Sequence, residues 1–283
     1  MKSRFHGAAT LSVLAVSALA LSACTSTDDG GDAAGGDTSA NGGEISLITP
    51  GTLTVCSDIP YRPFEFTEGG ETVGFDIDLV NNIAEDMGVE TEFLRTSFEG
   101  IQSGVALDSN QCDLAASGMT INEERESVMD FSEPYLDDNL ALLVAPDADI
   151  DSVADVQGKR VGVQQATTGE TQAQENNAEV VQYEDSALMI QGLNTGDVEA
   201  VIGNISVMGP AITDNPELRL VEEIETGEQL GLAVKTDNTA LLEQVNESLA
   251  TMREDGTLEE LLADYDLPAD LLVPADTAAT SIR

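Results

Sequence analysis

Gly74-Phe-Asp-Ile-Asp-Leu-Val-Asn-Asn-Ile-Ala-Glu-Asp-Met87, followed by Gly88, is the stretch from which the fold is read. Leu79, Ile83 and Met87 recur at helical spacing, so they share one face of a helix over 78–87, and Gly88 stops it. Short apolar runs of strand length flank this helix, at 53–57 before it and 92–94 after it. Further strands are expected at 113–117, 160–163, 180–183 and 200–202, separated by helical stretches. Asn122 reads as an N-cap, with Glu123 and Glu124 in the first turn behind it. A long helix over 238–255 carries Leu241, Val245, Ser248, Leu249 and Met252 along one stripe, and a shorter one over 257–265 follows. This alternation predicts an α/β protein without tandem repeats. The segments 139–145 and 230–235 read equally as core strands or as paired crossovers between two lobes; periodicity does not decide.

The 283 residues are 41% hydrophobic, enough for one large domain or two medium ones. Eleven Lys and Arg face 53 Asp and Glu, a net charge of −42. A nucleic-acid or anionic-membrane-surface role would need a local basic patch, and the sequence has none. The one histidine, His6, falls in an apparent leader, which removes Ser-His-Asp or Cys-His catalysis and His-ligated metal sites from the mature chain. No cofactor or metal is expected.

Lys2 and Arg4 precede a mainly apolar run over 8–21 and then Leu21-Ser-Ala-Cys24, the pattern of an export signal. The run is short for a membrane span, and no other segment approaches the roughly 18 apolar residues a span needs. Small residues before Cys24 resemble a lipoprotein box, which implies cleavage of 1–23 and a diacylglyceryl group on the Cys24 sulfur; two acyl chains suffice for stable anchoring. The plain alternative is a secretory signal with an incidental cysteine. Residues 24–44 hold no large apolar side chain and read as a flexible linker spanning on the order of 25 Å. Cleavage would remove two cations and no acids, for a mature charge of −44. Export also places Cys56 and Cys112 outside the reducing cytosol, so one disulfide is possible. Parallel strands in the expected register would hold the two apart, and the pairing stays open.

The quoted stretch resembles the signature of the family 3 extracellular solute-binding proteins, receptors of polar amino acid ABC importers. Asp58-Ile-Pro-Tyr-Arg-Pro-Phe64, Cys112-Asp-Leu-Ala-Ala-Ser-Gly-Met-Thr-Ile-Asn-Glu-Glu-Arg125, Asp130-Phe-Ser-Glu-Pro-Tyr135, Gly158-Lys-Arg-Val-Gly-Val163 and Arg253-Glu-Asp-Gly-Thr257 are similar to further family blocks, in family order. The resemblance implies a two-lobed periplasmic-binding-protein-like (Venus flytrap) fold joined by two hinge strands. Lobe one would take 45–137 and 231–268, lobe two 138–230, with a C-terminal tail over 269–283. It implies an extracytoplasmic monomer, held to the membrane through Cys24, delivering a small zwitterion to a permease with its cytoplasmic ATPase. Closure would be a hinge motion biased by a ligand that touches both lobes.

A receptor that strips water from an amino acid must supply a partner for its carboxylate, its ammonium and its side chain. The resemblance assigns the carboxylate to Arg125, whose planar fork can make two charge-assisted bonds; a helix-surface arginine is the bland alternative. It assigns a hydroxyl contact to Thr120, a backbone contact to Gly118, and places Tyr61 and Phe98 beside the ligand's side chain, although core packing is the commoner fate of such rings. Thr167 and Thr168 precede a helix beginning near Gly169, where exposed N–H groups attract an anion and a threonine hydroxyl adds a donor. Asp58 matches a polar contact to the far end of the ligand, and a carboxylate there favours polar neutral or basic amino acids. Arg62 would add a cation at the rim, although most such arginines are solvated. Asn204 departs from the family pattern: many members have an aspartate there for the ammonium, so Asn204→Asp is expected to tighten amino acid binding. A cleft enzyme such as a dehydratase would need a tuned acid or base, for which Asp58 is the nearby candidate. A sensory module is disfavoured because the chain ends at Arg283 without a following signalling segment.

Overall fold

The computed structural model describes residues 45–274 and 279–282. The leader, Cys24 and the linker lie outside the described residues. In chain order the first half runs β1 (Thr52–Ser57), β2 (Phe66–Glu68), β3 (Glu71–Val73), α1 (Phe75–Met87), β4 (Glu90–Arg95), α2 (Phe98–Gln102), α3 (Val105–Asp108), β5 (Leu114–Ala115), α4 (Glu123–Glu126) and β6 (Met129–Phe131). Then come β7 (Leu136–Asp137), β8 (Leu140–Val144), β9 (Arg160–Gln164), α5 (Thr168–Glu175), β10 (Glu179–Tyr183), α6 (Ser186–Thr195), β11 (Ala200–Asn204), α7 (Ile205–Asp214) and β12 (Arg219–Ile224). The chain finishes with β13 (Gln229–Leu230), β14 (Ala233–Lys235), α8 (Thr239–Asp255) and α9 (Thr257–Asp264).

Two five-stranded sheets organise these elements, in the orders β4-β1-β5-β14-β6 and β10-β9-β11-β8-β12. Each is parallel at one side and antiparallel at the other. Each is the floor of one lobe. Segments 139–145 and 230–235 both prove to be largely core strands: β8 sits inside the second sheet and β14 inside the first. The crossovers lie just ahead of them, where β7 and β13 pair antiparallel through Asp137–Gln229 and Leu136–Leu230. Among the described residues, this pair of two-residue strands is the only named ladder between the lobes, a geometry suited to hinge bending.

The first lobe's core is Leu53, Val55, Phe64, Phe75, Leu79, Ile83, Tyr135, Leu241, Val245 and Leu249, all fully buried. Helix α1 begins three residues before the expected Asp78 for a tertiary reason. A Cβ on Gly74 would lie 2.0 Å from the Phe64 carbonyl oxygen, so only glycine lets the chain pass there with φ at 141°. Phe75 then enters the core, and Asp76 accepts from Gly118 N and from the Tyr135 hydroxyl. Among the described residues, no helix is long and apolar enough to cross a membrane.

Cys56 and Cys112 form a disulfide, with Cα atoms 5.7 Å apart. The register argument for their separation fails because Cys112 is not in line with its strand. β5 starts at Leu114, beside Val55, and the chain reaches it by turning out of α3: Gln111 N donates to Ala106 O, and Asp113 N donates to Thr54 O. That turn lays Cys112 over β1, in the same buried cluster as Cys56, Phe98, Ile101, Leu107 and Met129.

Candidate functional site

The carboxyl ends of β1 and β5 in the first lobe face those of β9 and β11 in the second, where ligands of open α/β sheets bind. From the first lobe come Asp58 and Tyr61, just past β1, and Gly118, Thr120 and Arg125, past β5. The second lobe contributes Gln164 at the end of β9, Thr167 and Thr168 at the start of α5, and Asn204 at the end of β11.

The two lobes touch through these residues. Asp58 Oδ2 accepts from Gln164 Nε2, Tyr61 donates its hydroxyl proton to Asn204 Oδ1 at 3.0 Å, and Arg125 Nη2 donates to the Ala166 carbonyl at 3.3 Å. Asp58, Tyr61, Phe98, Thr120, Arg125 and Asn204 are all buried.

Arg125 is held from three sides. Asn122 caps α4 by accepting from Arg125 N at 2.9 Å. Its Nη1 donates to the Thr120 carbonyl at 2.7 Å, and its guanidinium lies 5.0 Å from the centre of the Phe98 ring. It is 3% exposed and belongs to no ion pair among the described residues, so the helix-surface reading does not hold. Its Nε has no hydrogen-bond partner among the described residues. Burial pulls the guanidinium down to about 10, against the pull of Glu228, and at neutral pH it remains a cation. It also lines a polar groove of about 210 Å³ with Thr167 and Thr168.

The structure bears on three expectations and overturns one of them, the threonine donors. Gly118 N already donates to Asp76 at 2.7 Å, so its carbonyl is the backbone group left for a ligand. Neither threonine of the second lobe has a hydroxyl proton to offer an anion, because Thr167 donates to the Gln164 carbonyl and Thr168 donates to Glu228. Asn204 is tied on both sides, accepting from Tyr61 and donating Nδ2 to the Asp138 carbonyl at 3.1 Å. An aspartate at 204 would lose that second bond and stand beside the buried Asp138 carboxylate, so Asn204→Asp carries a cost the expected gain must overcome. Phe98 sits under Arg125 rather than alone, and Arg62 lies outside the cluster, over the Phe66 ring at 3.7 Å.

Two functional candidates went unread in the sequence. Gln164, which ties Asp58 across the lobes, stands one position beyond the expected strand. Glu228 sits at the hinge, immediately before β13; its Oε2 accepts from Thr120 Oγ1 at 2.7 Å and from Thr168 Oγ1 at 2.8 Å. Nothing in its local pattern marks it, because it ends a polar run with Glu222, Glu223 and Glu225.

Several acids around the cleft are dry. Burial raises Asp58 and Asp138 each to about 7, opposed by hydrogen bonds from Gln164 and Ser206 respectively. Glu65 and Asp76, fully buried neighbours, are raised for the same reason. The folded protein therefore holds these protons at pH values where the unfolded chain has released them, and stability is gained as pH falls through 7 toward the ordinary carboxylate range. Asp155, Glu199 and Asp255, all lowered, oppose this only near and below that range. The ligand-free protein is expected to melt about 5 °C higher at pH 5 than at pH 8. A lower melting temperature at pH 5 would contradict these assignments.

Residues 53–267 match the family model described as bacterial extracellular solute-binding proteins, family 3. The ABC transporter arginine-binding protein 1 of Escherichia coli (strain K12) is 34% identical over 209 residues, covering 71% of this chain and 85% of that protein. An ancestral arginine-binding protein, solved bound to arginine, superposes with a TM-score of 0.72 at 37% identity, over 76% of this chain and 98% of the other. The ancestral amino acid-binding protein AncCDT-1, described as a precursor of cyclohexadienyl dehydratase, gives a TM-score of 0.70 at 34% identity, over 76% of this chain and 95% of the other.

Proposed function

Because the chain belongs to the bacterial extracellular solute-binding proteins, family 3, we propose that it is the lipid-anchored receptor of an ABC importer. It closes its two lobes on a polar neutral or basic amino acid, or a similar zwitterion, and hands it to a permease driven by a cytoplasmic ATPase. The observation that carries this reading is Arg125, a buried cation at the lobe boundary with its Nε unpartnered among the described residues. A carboxylate entering the cleft would meet a fork already oriented by Asn122, Thr120 and Phe98.

Charge supports the basic end of the range. The Asp58 carboxylate lies at the lobe boundary, and the chain as a whole carries −42, so the field attracts cations and repels anions. The two arginine-binding relatives lean the same way. At 100 times its dissociation constant, a ligand adds about 2.7 kcal/mol of stability, which a melting curve resolves. A thermal-shift panel of the standard amino acids, betaines and ectoine-like osmolytes should therefore show its largest stabilisation with arginine, lysine or a polar neutral amino acid. No stabilisation by any of them would remove the receptor reading.

Asp58, raised to about 7, also has the proton affinity of a general acid or base, which is what a dehydratase in this cleft would use. Incubation of the purified protein with the stabilising solute should leave that solute unchanged; turnover would favour the enzyme. Anchoring through Cys24 is tested by palmitate labelling, expected in the wild type and absent from Cys24→Ser.

A further inference from the structure

Glu228 reaches the cleft from the hinge, and the contacts it makes there constrain what the cleft can recognise. One carboxylate oxygen, Oε2, takes the hydroxyl protons of both Thr120 in the first lobe and Thr168 in the second. A hydroxyl has one proton. With both protons committed, Thr120 and Thr168 offer an incoming ligand only lone pairs. A ligand oxygen finds no donor in either, whereas an ammonium finds two acceptors.

The same carboxylate has capacity left. Its Oε1 has no hydrogen-bond partner among the described residues, although Glu228 is 1% exposed. Burial raises Glu228 above the ordinary glutamate range, while the hydroxyls of Thr120 and Thr168, the Arg125 cation and the Thr226 hydroxyl pull it back toward the charged form. Arg125 is likewise 3% exposed with its Nε unpartnered. An anion and a cation, each buried and each with an open valence, match the two ends of a zwitterion.

We propose that Glu228 is the residue that sets the polarity of this cleft: it fixes Thr120 and Thr168 as acceptors and supplies the negative charge for a ligand's ammonium, leaving Arg125 for the carboxylate. The inference rests on the receptor reading above and deepens it. It also accounts for the departure at Asn204, whose amide brings no charge and whose oxygen already accepts from Tyr61. The charge that meets the ammonium comes from the hinge and not from the end of β11.

Calorimetric titration of the wild type and E228Q tests this, using L-arginine and L-glutamine and, for each, the analogue lacking only the α-amino group: δ-guanidinovaleric acid and glutaramic acid. Glutamine is isosteric with glutamate, and E228Q should melt close to the wild type. E228Q is expected to weaken amino acid binding about tenfold or more, because a charge-assisted contact becomes a neutral one, and to leave the desamino acids unchanged or tighter. The preference for the amino form should collapse. T168V, which removes one of the two acceptors and leaves Glu228 charged, should reduce the same preference more modestly. If E228Q tightens both ligand types equally, Glu228 merely occupies the place of a ligand carboxylate and the proposal is wrong; an unchanged preference overturns it too. Failure of the wild type to bind either amino acid, with no stabilisation across the thermal-shift panel, would remove the receptor reading itself and this inference with it.

Discussion

Replacing Cys56 and Cys112 together by alanine should lower the melting temperature by on the order of 10 °C. The bridge joins residues 56 apart in sequence, and a crosslink of that span restricts the unfolded chain by about 4 kcal/mol in the chain-entropy account. That is a large share of the roughly 5–15 kcal/mol that stabilises an ordinary domain. Alanine is the right replacement because both sulfurs sit in an apolar cluster, where a serine hydroxyl would add an unrelated burial cost. The consequence extends to the cleft. Cys56 lies two residues before Asp58, and Cys112 lies in the turn that feeds β5 and, beyond it, Ser117, Gly118 and Thr120, so the bridge fastens two binding loops to one another at their roots. Ligand affinity should fall with stability, as both loops gain freedom that binding must then remove. Wild-type protein unfolded and refolded under reducing conditions should reproduce the loss. A double variant melting within about 2 °C of the wild type would show that the crosslink contributes nothing.

The bridge also marks where local pattern stopped being informative. Leu79, Ile83, Leu241, Val245 and Leu249 announced their helices because burial repeats at the helical period, and all of them are buried. The short apolar runs mark β1, β4, β5, β9, β10 and β11 for a similar reason, whereas β8 and β14 read equally as strand or crossover and β6 and β12, interrupted by acids, carry no such run. What local pattern could not carry was direction and depth at the ends of those runs. The spacing puts Cys112 in line with its strand, although the chain turns there. The apolar spacing starts α1 at the half-buried Asp78, three residues late, because the burial of Phe75 and Asp76 depends on Phe64 and Tyr135, which local spacing does not include. The two-residue hinge strands are too short to have a period.

The site divides in the same way. Arg125, Thr120, Asp58 and Asn204 were picked out because their blocks resemble a known family, and the structure brings them to one boundary. The direction of each hydroxyl proton was not legible, since it depends on which acceptor the fold delivers. Thr168 looks like an anion donor in the sequence and is an acceptor in the cleft, because a hinge residue sixty positions away takes its proton. Glu228 is one acid among many in an acidic chain. Its role depends on partners contributed by both lobes, and no window around it contains either of them.

Arg125→Met should weaken binding of any amino acid at least about 100-fold, since two hydrogen bonds to a charged group are lost at about 1.5–3 kcal/mol each and a desolvated carboxylate is left without a cation. Arg125→Lys keeps the charge and loses the fork, so a smaller loss, about tenfold, is expected. The ligand-free fold should tolerate the methionine. The guanidinium is fully buried with Nε unpartnered, and its desolvation, which pulls it down to about 10, is only partly offset by Glu228 and two backbone carbonyls. A flexible apolar side chain against Phe98 removes that penalty, so the melting temperature should stay within about 3 °C of the wild type. Binding within about threefold of the wild type would take Arg125 out of the site. The desamino acids make the distinction sharper, because they keep the carboxylate and lack the ammonium. Arg125→Met should weaken them as severely as it weakens the amino acids, whereas E228Q should spare them. A shared loss on the amino acids with divergent responses to the desamino acids would place the cation and the anion of this cleft at opposite ends of one zwitterion.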